Sequence, residues 1–255
     1  MFKVATWNVN SIRIRMEHLL NLLDTAKLDV LCLQEIKCIN EEFPSAEIEK
    51  RGYHISLVGQ KSYNGVATLS LQKPVKITTE LHPDDPQSRF LICEFPNIII
   101  ANGYIPNGQD LQSEKFLYKL LWLERAKAFF QDHYTPKDPL LFVGDFNITP
   151  DDRDVYNPSR LRGKIHCSLP EREALADLME FGFSDLFRLH SQPAQTFSWW
   201  DYREFSFEQN LGLRIDLLLG TKSVAQKCQS VRILASERQK TRPSDHAPVV
   251  GEFDL

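Results

Sequence analysis

The chain has 255 residues, of which 42% are hydrophobic and 25% charged, with a formal net charge of −4. That profile is ordinary for a soluble globular protein, and apolar runs this short exclude a helix that crosses a bilayer. Five cysteines at irregular spacing, without a Cys-x-x-Cys pair, support neither a zinc site nor a disulfide framework. The negative charge counts against a simple basic nucleic-acid-binding module, unless acidic residues gather around a cation that reverses the local field.

Phe2 to Val9 alternates loosely and predicts a strand ending in Trp7-Asn8-Val9-Asn10. Ser11 is placed to cap a helix over Ile12 to Thr25, with Ile12, Met16, Leu19, Leu20, Leu22 and Leu23 as its apolar stripe. Arg13 and Arg15 fall near its start. Asp29 to Leu33 is the next apolar run, and it stops at Gln34-Glu35. Glu47 to Arg51 reads as the end of a short helix stopped by Gly52, Tyr53 to Val58 as a strand, and Val66 to Leu71 as another. The polar turn between those strands, Gln60 to Gly65, carries Lys61, Tyr63 and Asn64. Met1 to Val4 reads as a strand start and not as a signal peptide, so a cytoplasmic protein is expected.

Phe90 to Glu94 and Ile98 to Tyr104 predict an antiparallel pair, followed by a loop through Asn107 whose Pro106 and Gly108 fix its shape. Glu114 to Gln131 predicts a helix with Phe116, Leu117, Leu120, Leu121, Leu123 and Phe129 on its apolar face. Leu140 to Asn147 reads as a buried strand broken by Gly144, with Asp145 and Asn147 on one side of its end. Residues 149–170 have little periodicity and read as a long functional loop inside one domain spanning residues 1–255. Glu171 to Phe181 predicts a helix ended by Gly182. Thr196 to Tyr202 is aromatic-rich and predicts a strand, or a stacking platform for nucleotides. Leu213 to Gly220 is a strand with Asp216 among apolar neighbours, where a lone carboxylate needs a partner. Ser244-Asp245-His246 leads into a last strand, Val249 to Phe253.

Apolar runs therefore end at, or pass through, Asn8, Glu35, Tyr104, Asp145 with Asn147, Asp216, and Asp245 with His246. Side-by-side strands would bring these groups to one rim. Carboxylates and amide oxygens are hard donors that suit Mg²⁺ or Mn²⁺. His246 beside Asp245 suits a proton carrier oriented by a carboxylate. The joint pattern points to metal-assisted hydrolysis of a phosphate ester.

Seven segments occur in order: Trp7-Asn8-Val9-Asn10, Leu33-Gln34-Glu35, Asn102-Gly103-Tyr104, Gly144-Asp145-Phe146-Asn147, Ser198 to Arg203, Gly212 to Asp216, and Ser244-Asp245-His246. Together they resemble the exonuclease III family of abasic-site endonucleases over essentially the whole chain. The resemblance implies a four-layer α/β sandwich, two mixed β-sheets packed face to face with helices on both outer faces. It implies a Mg²⁺-dependent DNA-repair phosphodiesterase, with Mn²⁺ as substitute. Such an enzyme cuts duplex DNA 5′ to abasic sites, leaves a 3′-hydroxyl, and trims or cleans 3′ ends. A monomer without membrane association is expected.

The same resemblance implies the roles. Glu35 is the principal metal ligand, with Asn8, Asp245 and Asn10 nearby and Asp145, Asn147 and His246 in the wider ligand set. Asp145 handles the proton of the attacking water or of the leaving oxygen, and His246, held by Asp216, is its acid–base partner. Which of the two is the base stays open. Asn147 and Tyr104 donate to phosphate oxygens. Trp199 and Leu213 line a pocket for a baseless sugar, whose extrusion costs less unstacking than that of an intact nucleotide. Arg13, Arg15, Lys61, Asn64, Asn107 and Lys115 are candidate phosphate contacts. The loop after Gly108 is short, which weakens the case for Lys115. The rival readings are a phosphatase of small phosphoesters from the same superfamily, and a catalytically silent nucleic-acid-binding module.

Overall fold

Strand periodicity decides what faces what in this chain. The computed structural model describes residues 1–190 and 192–255. Its strands are β1 (Phe2–Asn8), β2 (Val30–Gln34), β3 (His54–Val58), β4 (Val66–Ser70), β5 (Lys76–Thr78), β6 (Phe90–Glu94), β7 (Ile99–Tyr104), β8 (Leu140–Asp145), β9 (Ser184–Asp185), β10 (Trp199–Trp200), β11 (Gly212–Leu213), β12 (Asp216–Gly220), β13 (Cys228–Ile233) and β14 (Val249–Phe253). One six-stranded sheet runs β13-β14-β1-β2-β4-β3, a second runs β5-β6-β7-β8-β12-β9, and β10-β11 form a small ribbon. Each large sheet has one parallel pair, β1 with β2 and β7 with β8, and is otherwise antiparallel.

Alternate residues of the two sheets meet in a central core that includes Val4, Val30, Cys32, Ile100, Leu141, Val143 and Leu218. The intervening residues face helices. Ala5, Trp7, Leu31 and Leu33 pack on α1 (Ile12–Ala26) through Ile12, Leu19, Leu22 and Leu23. On the other side, Ile92, Ala101, Leu140 and Phe142 pack on two helices. These are Glu114–His133, through Trp122, Leu123 and Phe130, and Leu169–Met179, through Leu175 and Leu178. The result is the expected four-layer α/β sandwich. Among the described residues no helix is long and apolar enough to cross a membrane.

Following the inner-facing parity to the strand ends gives Asn8 after Val4 and Thr6, Gln34 after Val30 and Cys32, and Tyr104 after Ile100 and Asn102. It also gives Asp145 after Leu141 and Val143, and Asp216 before Leu218. The parallel pairs bring the ends of β1 with β2, and of β7 with β8, to the same rim. Antiparallel β12 and β14 begin there. Polar groups thus collect where the inter-sheet core opens. Gly144 permits the closest approach: its φ is +150°, and a Cβ there would lie 1.8 Å from the Gly103 carbonyl oxygen. Only glycine lets β7 and β8 set Tyr104 opposite Asp145 in register.

Several expectations are corrected. Ser11 does not cap α1 with its side chain; its φ is 87°. Instead the Ser11 and Ile12 amides donate to the Glu35 and Ile36 carbonyls (2.8 and 3.2 Å), so the loop after β2 completes the helix start. In the helix Glu114–His133, Leu117 and Leu121 are 67% and 40% exposed, while Lys119 is fully buried. The expected strand Thr196 to Tyr202 shrinks to Trp199–Trp200, and Leu213 to Gly220 is split at Arg214 and Ile215. Arg214 causes that break. Its buried guanidinium grips Asp154 (2.6 and 3.0 Å) and Asp185 (2.7 and 3.2 Å), pulling the chain toward the loop after β8.

Candidate active site

Asn8 sits at the centre, fully buried. Its amide nitrogen donates to Glu35 Oε1 and to Asp145 Oδ2, both at 2.9 Å. Tyr104 donates its hydroxyl to the same Glu35 oxygen (2.6 Å). The other Glu35 oxygen pairs with Lys37 Nζ at 2.8 Å, which also donates to Asn10 Oδ1 (2.6 Å). Asn10 Nδ2 donates to Asp245 Oδ1 (2.9 Å), and Trp199 Nε1 donates to Asp245 Oδ2 (3.0 Å). Across the rim, His246 Nδ1 lies 2.9 Å from Asp216 Oδ2, and its Nε2 lies 3.7 Å from Asp145 Oδ2. Asn147 closes the ring with its main-chain and side-chain N–H groups on Asp145 (2.9 and 3.2 Å).

The backbone here is held in costly conformations. Asn10, Ser11, Glu35, Lys37, Asn147 and His166 all have left-handed φ values between 44° and 87°. Non-glycine residues in that region persist only where surrounding contacts over-determine them. The left-handed turn at Glu35 swings its carboxylate from the strand edge into the rim.

Electrostatics separate the carboxylates. Burial pushes Asp145 up to about 7 against the pull of the His246 charge, with the Asp216 and Glu35 charges adding to the rise. Burial also acts on Glu35 and Asp245, but there opposing groups win and both lie below the usual carboxylate range. Lys37, Asn8 and Tyr104 hold Glu35 down, and His246, Asn10 and Trp199 hold Asp245 down. His246 is lowered by burial and raised more strongly by Asp216 and Asp145, ending at about 10. Burial and the neighbouring Glu35 and Asp145 charges keep the Tyr104 hydroxyl protonated.

The donor set fits a hard divalent cation. Glu35, Asp145 and Asp245 offer carboxylate oxygens and no thiolate is among them, while Asn8 and Asn10 could add amide oxygens only by turning, since Asn8 Nδ2 faces Glu35 and Asp145 and Asn10 Oδ1 accepts from Lys37. Asp145 is raised chiefly by burial, with the Asp216 and Glu35 charges adding to the rise, and a cation beside it would favour its ionised form. Asp145, Asp216 and His246 also offer ligand atoms within 4.8 Å of one another. Because Asp216 is committed to His246 Nδ1, that trio reads better as a proton-handling unit.

The expected binding residues divide. Trp199 and Leu213 pair across β10-β11 and, with Tyr156, His166 and Asn107, line a pocket of about 550 Å³ beside the site. Tyr104, Asn64, Asn107 and Lys115 line an adjoining cleft with Arg89, whose guanidinium stacks 4.5 Å over the Tyr104 ring. Asn64 is engaged by Gln60 and Gln87 (3.0 and 3.1 Å). Lys61 is exposed. Arg13 pairs on the surface with Glu42 (3.2 Å). Arg15 is buried, and its guanidinium is spent on Asn10 O, Tyr202 OH and Pro243 O (2.7 to 2.8 Å).

Sequence reasoning missed Lys37, Arg89, His166 and the buried Lys119. Lys37 shares the i, i+2 relation with Glu35 and was findable on that ground. His166 lies in the aperiodic loop and carried no such mark.

A family model described as the Endonuclease/Exonuclease/phosphatase family matches residues 5–246. The chain is 36% identical to exodeoxyribonuclease III of Haemophilus influenzae, with 98% of this chain and 99% of that one aligned. Among solved structures it is similar to the 3′ phosphatase NExo from Neisseria bound to a product DNA hairpin, at TM-score 0.96 and 39% identity over 100% of both chains. An AP endonuclease from Archaeoglobus fulgidus gives TM-score 0.96 and 35% identity, again over 100% of both chains.

Proposed function

We infer that this chain, which belongs to the Endonuclease/Exonuclease/phosphatase family, is a divalent-cation-dependent nuclease of DNA repair. It removes nucleotides and 3′-blocking groups from the 3′ ends of duplex DNA. It also cuts 5′ to abasic sites, leaving a 3′-hydroxyl. Mg²⁺ is the proposed ion, with Mn²⁺ as substitute, and one monomeric domain, residues 1–255, does the work. The observation that carries this reading is the convergence at one rim of Asn8, Glu35, Tyr104, Asp145, Asn147, Asp216 and His246, drawn from strand ends of both sheets.

Glu35 and Asn8, with Asn10 and Asp245 beyond them, would hold the cation, which when bound neutralises phosphate charge and acidifies a bound water. His246 is raised to about 10, so at neutral pH it is an imidazolium. Asp216 keeps the Nδ1 proton, and Nε2–H donates to a phosphate oxygen. That leaves Asp145 as the base: its Oδ2 takes the proton of the water that attacks phosphorus, the bond from phosphorus to the leaving oxygen breaks, and the leaving oxygen takes a proton from solvent water to become the 3′-hydroxyl. Asn147 Nδ2, which rests on Asp145 and the Ile105 carbonyl, and the Tyr104 hydroxyl, which rests on Glu35, would turn to donate to the developing charge without adding anions that repel the phosphate. Donors of this kind are commonly worth about 3 kcal/mol each. Trp199 and Leu213 form the wall against which a baseless sugar lies.

The test is a time course on one end-labelled abasic duplex and one 3′-phosphorylated duplex, with Mg²⁺ or with EDTA. Incision and 3′ cleaning that vanish with EDTA are expected, and metal-independent or absent turnover of both would refute the reading. The similarity to a Neisseria protein described as a 3′ phosphatase favours a second ordering, in which 3′ cleaning is the faster reaction. The same time course ranks the two.

A further inference from the structure

We propose that the buried ion pair Lys119–Glu171 is a positioning device for the proposed phosphate hydrolysis, holding Asn147, Asn107 and His166 in their working geometry through main-chain carbonyls. The proposal rests on the functional reading above.

Lys119 interrupts the apolar stripe of its helix between Phe116 and Trp122, and neither it nor Glu171 exposes any side-chain surface. Three protons on Nζ meet three acceptors: Glu171 Oε1, the Asn147 carbonyl at 2.7 Å and the Asn107 carbonyl at 3.2 Å. Glu171 is equally committed. Oε1 accepts from the His166 amide (3.0 Å), and Oε2 accepts from the Ser168 amide and hydroxyl (3.1 and 2.6 Å) at the cap of the helix Leu169–Met179.

The Asn147 carbonyl receives a second bond from His166 Nδ1 at 2.6 Å. A carbonyl accepts only, so the proton resides on Nδ1 and the Nε2 lone pair faces Asn107 Nδ2 at 3.4 Å. Asn107 Nδ2 also donates to Asn147 Oδ1 (3.1 Å), and the circuit closes. Both turning points of this circuit, Asn147 and His166, hold left-handed φ values of 53° and 68°.

A buried ion pair is a poor device for stability alone, because well-packed apolar residues often serve as well or better. What this one adds is direction. An ammonium fixed behind the carbonyls of two site asparagines determines where their amides point.

Two variants and one spectrum test this. With Lys119→Met, kcat on a 3′-phosphorylated duplex falls about tenfold or more while KM stays within about threefold, because transition-state donors are misaimed and ground-state binding is not. Glu171→Gln removes the counter-charge of Nζ and turns an N–H group toward donors that Glu171 accepts from, so its kcat also falls, by about threefold or more, with KM within about threefold and a lower Tm. In the wild-type protein, ¹⁵N-histidine NMR, assigned with His166→Gln, shows His166 protonated at Nδ1. The proposal is overturned if folded Lys119→Met keeps wild-type kcat, if both variants lose kcat only in proportion to lost Tm, or if His166 carries its proton on Nε2. Should Lys119→Met fail to fold, Glu171→Gln and the tautomer decide. Should the wild-type protein hydrolyse neither DNA substrate, the functional reading fails by itself, and an Nε2–H tautomer would still overturn the positioning circuit independently.

Discussion

Replacing Asp216 with Asn isolates the electrostatic core of the mechanism. Asp216 is the largest of the influences that raise His246 to about 10 from an ordinary value of 6.5, a rise of roughly 5 kcal/mol at 1.36 kcal/mol per unit. Asparagine still accepts from Nδ1–H, so the ring stays in place while the charge disappears. His246 then falls back toward its ordinary value, with burial lowering it further and the remaining Asp145 and Asp245 charges holding it up. At pH 8 a group of pKa 6.5 is only about 3% protonated, so the supply of imidazolium alone lowers kcat/KM by up to about 30-fold. At pH 6 most of the imidazolium is present, and the loss from this cause shrinks to about twofold or less. Asp145 feels the Asp216 and His246 charges in opposite directions, so the trend of the ratio of variant to wild type across pH, and not its value at one pH, is the readout. Single-turnover rates on a 3′-phosphorylated duplex from pH 6 to pH 9 give that ratio directly. A loss of constant size across the range would refute the claim that Asp216 works by keeping His246 charged.

Other outcomes follow from the same geometry. Asn147→Ala should lower kcat by about 10² to 10³ with little change in KM, read from steady-state kinetics, because it removes a proposed donor to the transition state. Gly144→Ala should lower Tm by several degrees in a thermal melt. The added Cβ meets the Gly103 carbonyl at 1.8 Å in a backbone conformation that side chains avoid. Mg²⁺ should raise Tm in a saturable manner, and the rise should disappear in Glu35→Ala. The His246 ionisation also bears on folding. Its folded pKa is raised, so its contribution to stability is fully present below about 6.5 and is lost as pH climbs through about 10, which urea melts at pH 6.5 and pH 10 can measure.

Much of the fold was legible because strand parity is. The two-residue spacing put Asp145 and Asn147 together at the end of a buried run, and the apolar stretches ending at Asn8, Glu35 and Tyr104 marked the rim before any pairing was known. What escaped had physical reasons. Two edge strands, Lys76–Thr78 and Cys228–Ile233, lack a period-two burial pattern and carry too few apolar positions to stand out. The Leu213 to Gly220 run looks continuous because Arg214 is flanked by apolar residues. Only the distant Asp154 and Asp185 reveal why the chain bends there. Lys119 was hidden by the assumption that a cation on a helix faces water. Leu117 and Leu121, two residues to either side of it, are the exposed residues instead. Ser11 had a capping residue's chemistry, but the backbone of a different loop had already satisfied the helix start.

The central claim is that groups from position 8 to position 246 act as one centre. A double-mutant cycle on single-turnover cleavage of a 3′-phosphorylated duplex, using Glu35→Ala, His246→Ala and the pair together, tests it most directly. Residues that act as a unit are grossly non-additive. The double variant should therefore be about as slow as the slower single variant. If the two losses multiply, the residues contribute independently, and the single-centre account is wrong.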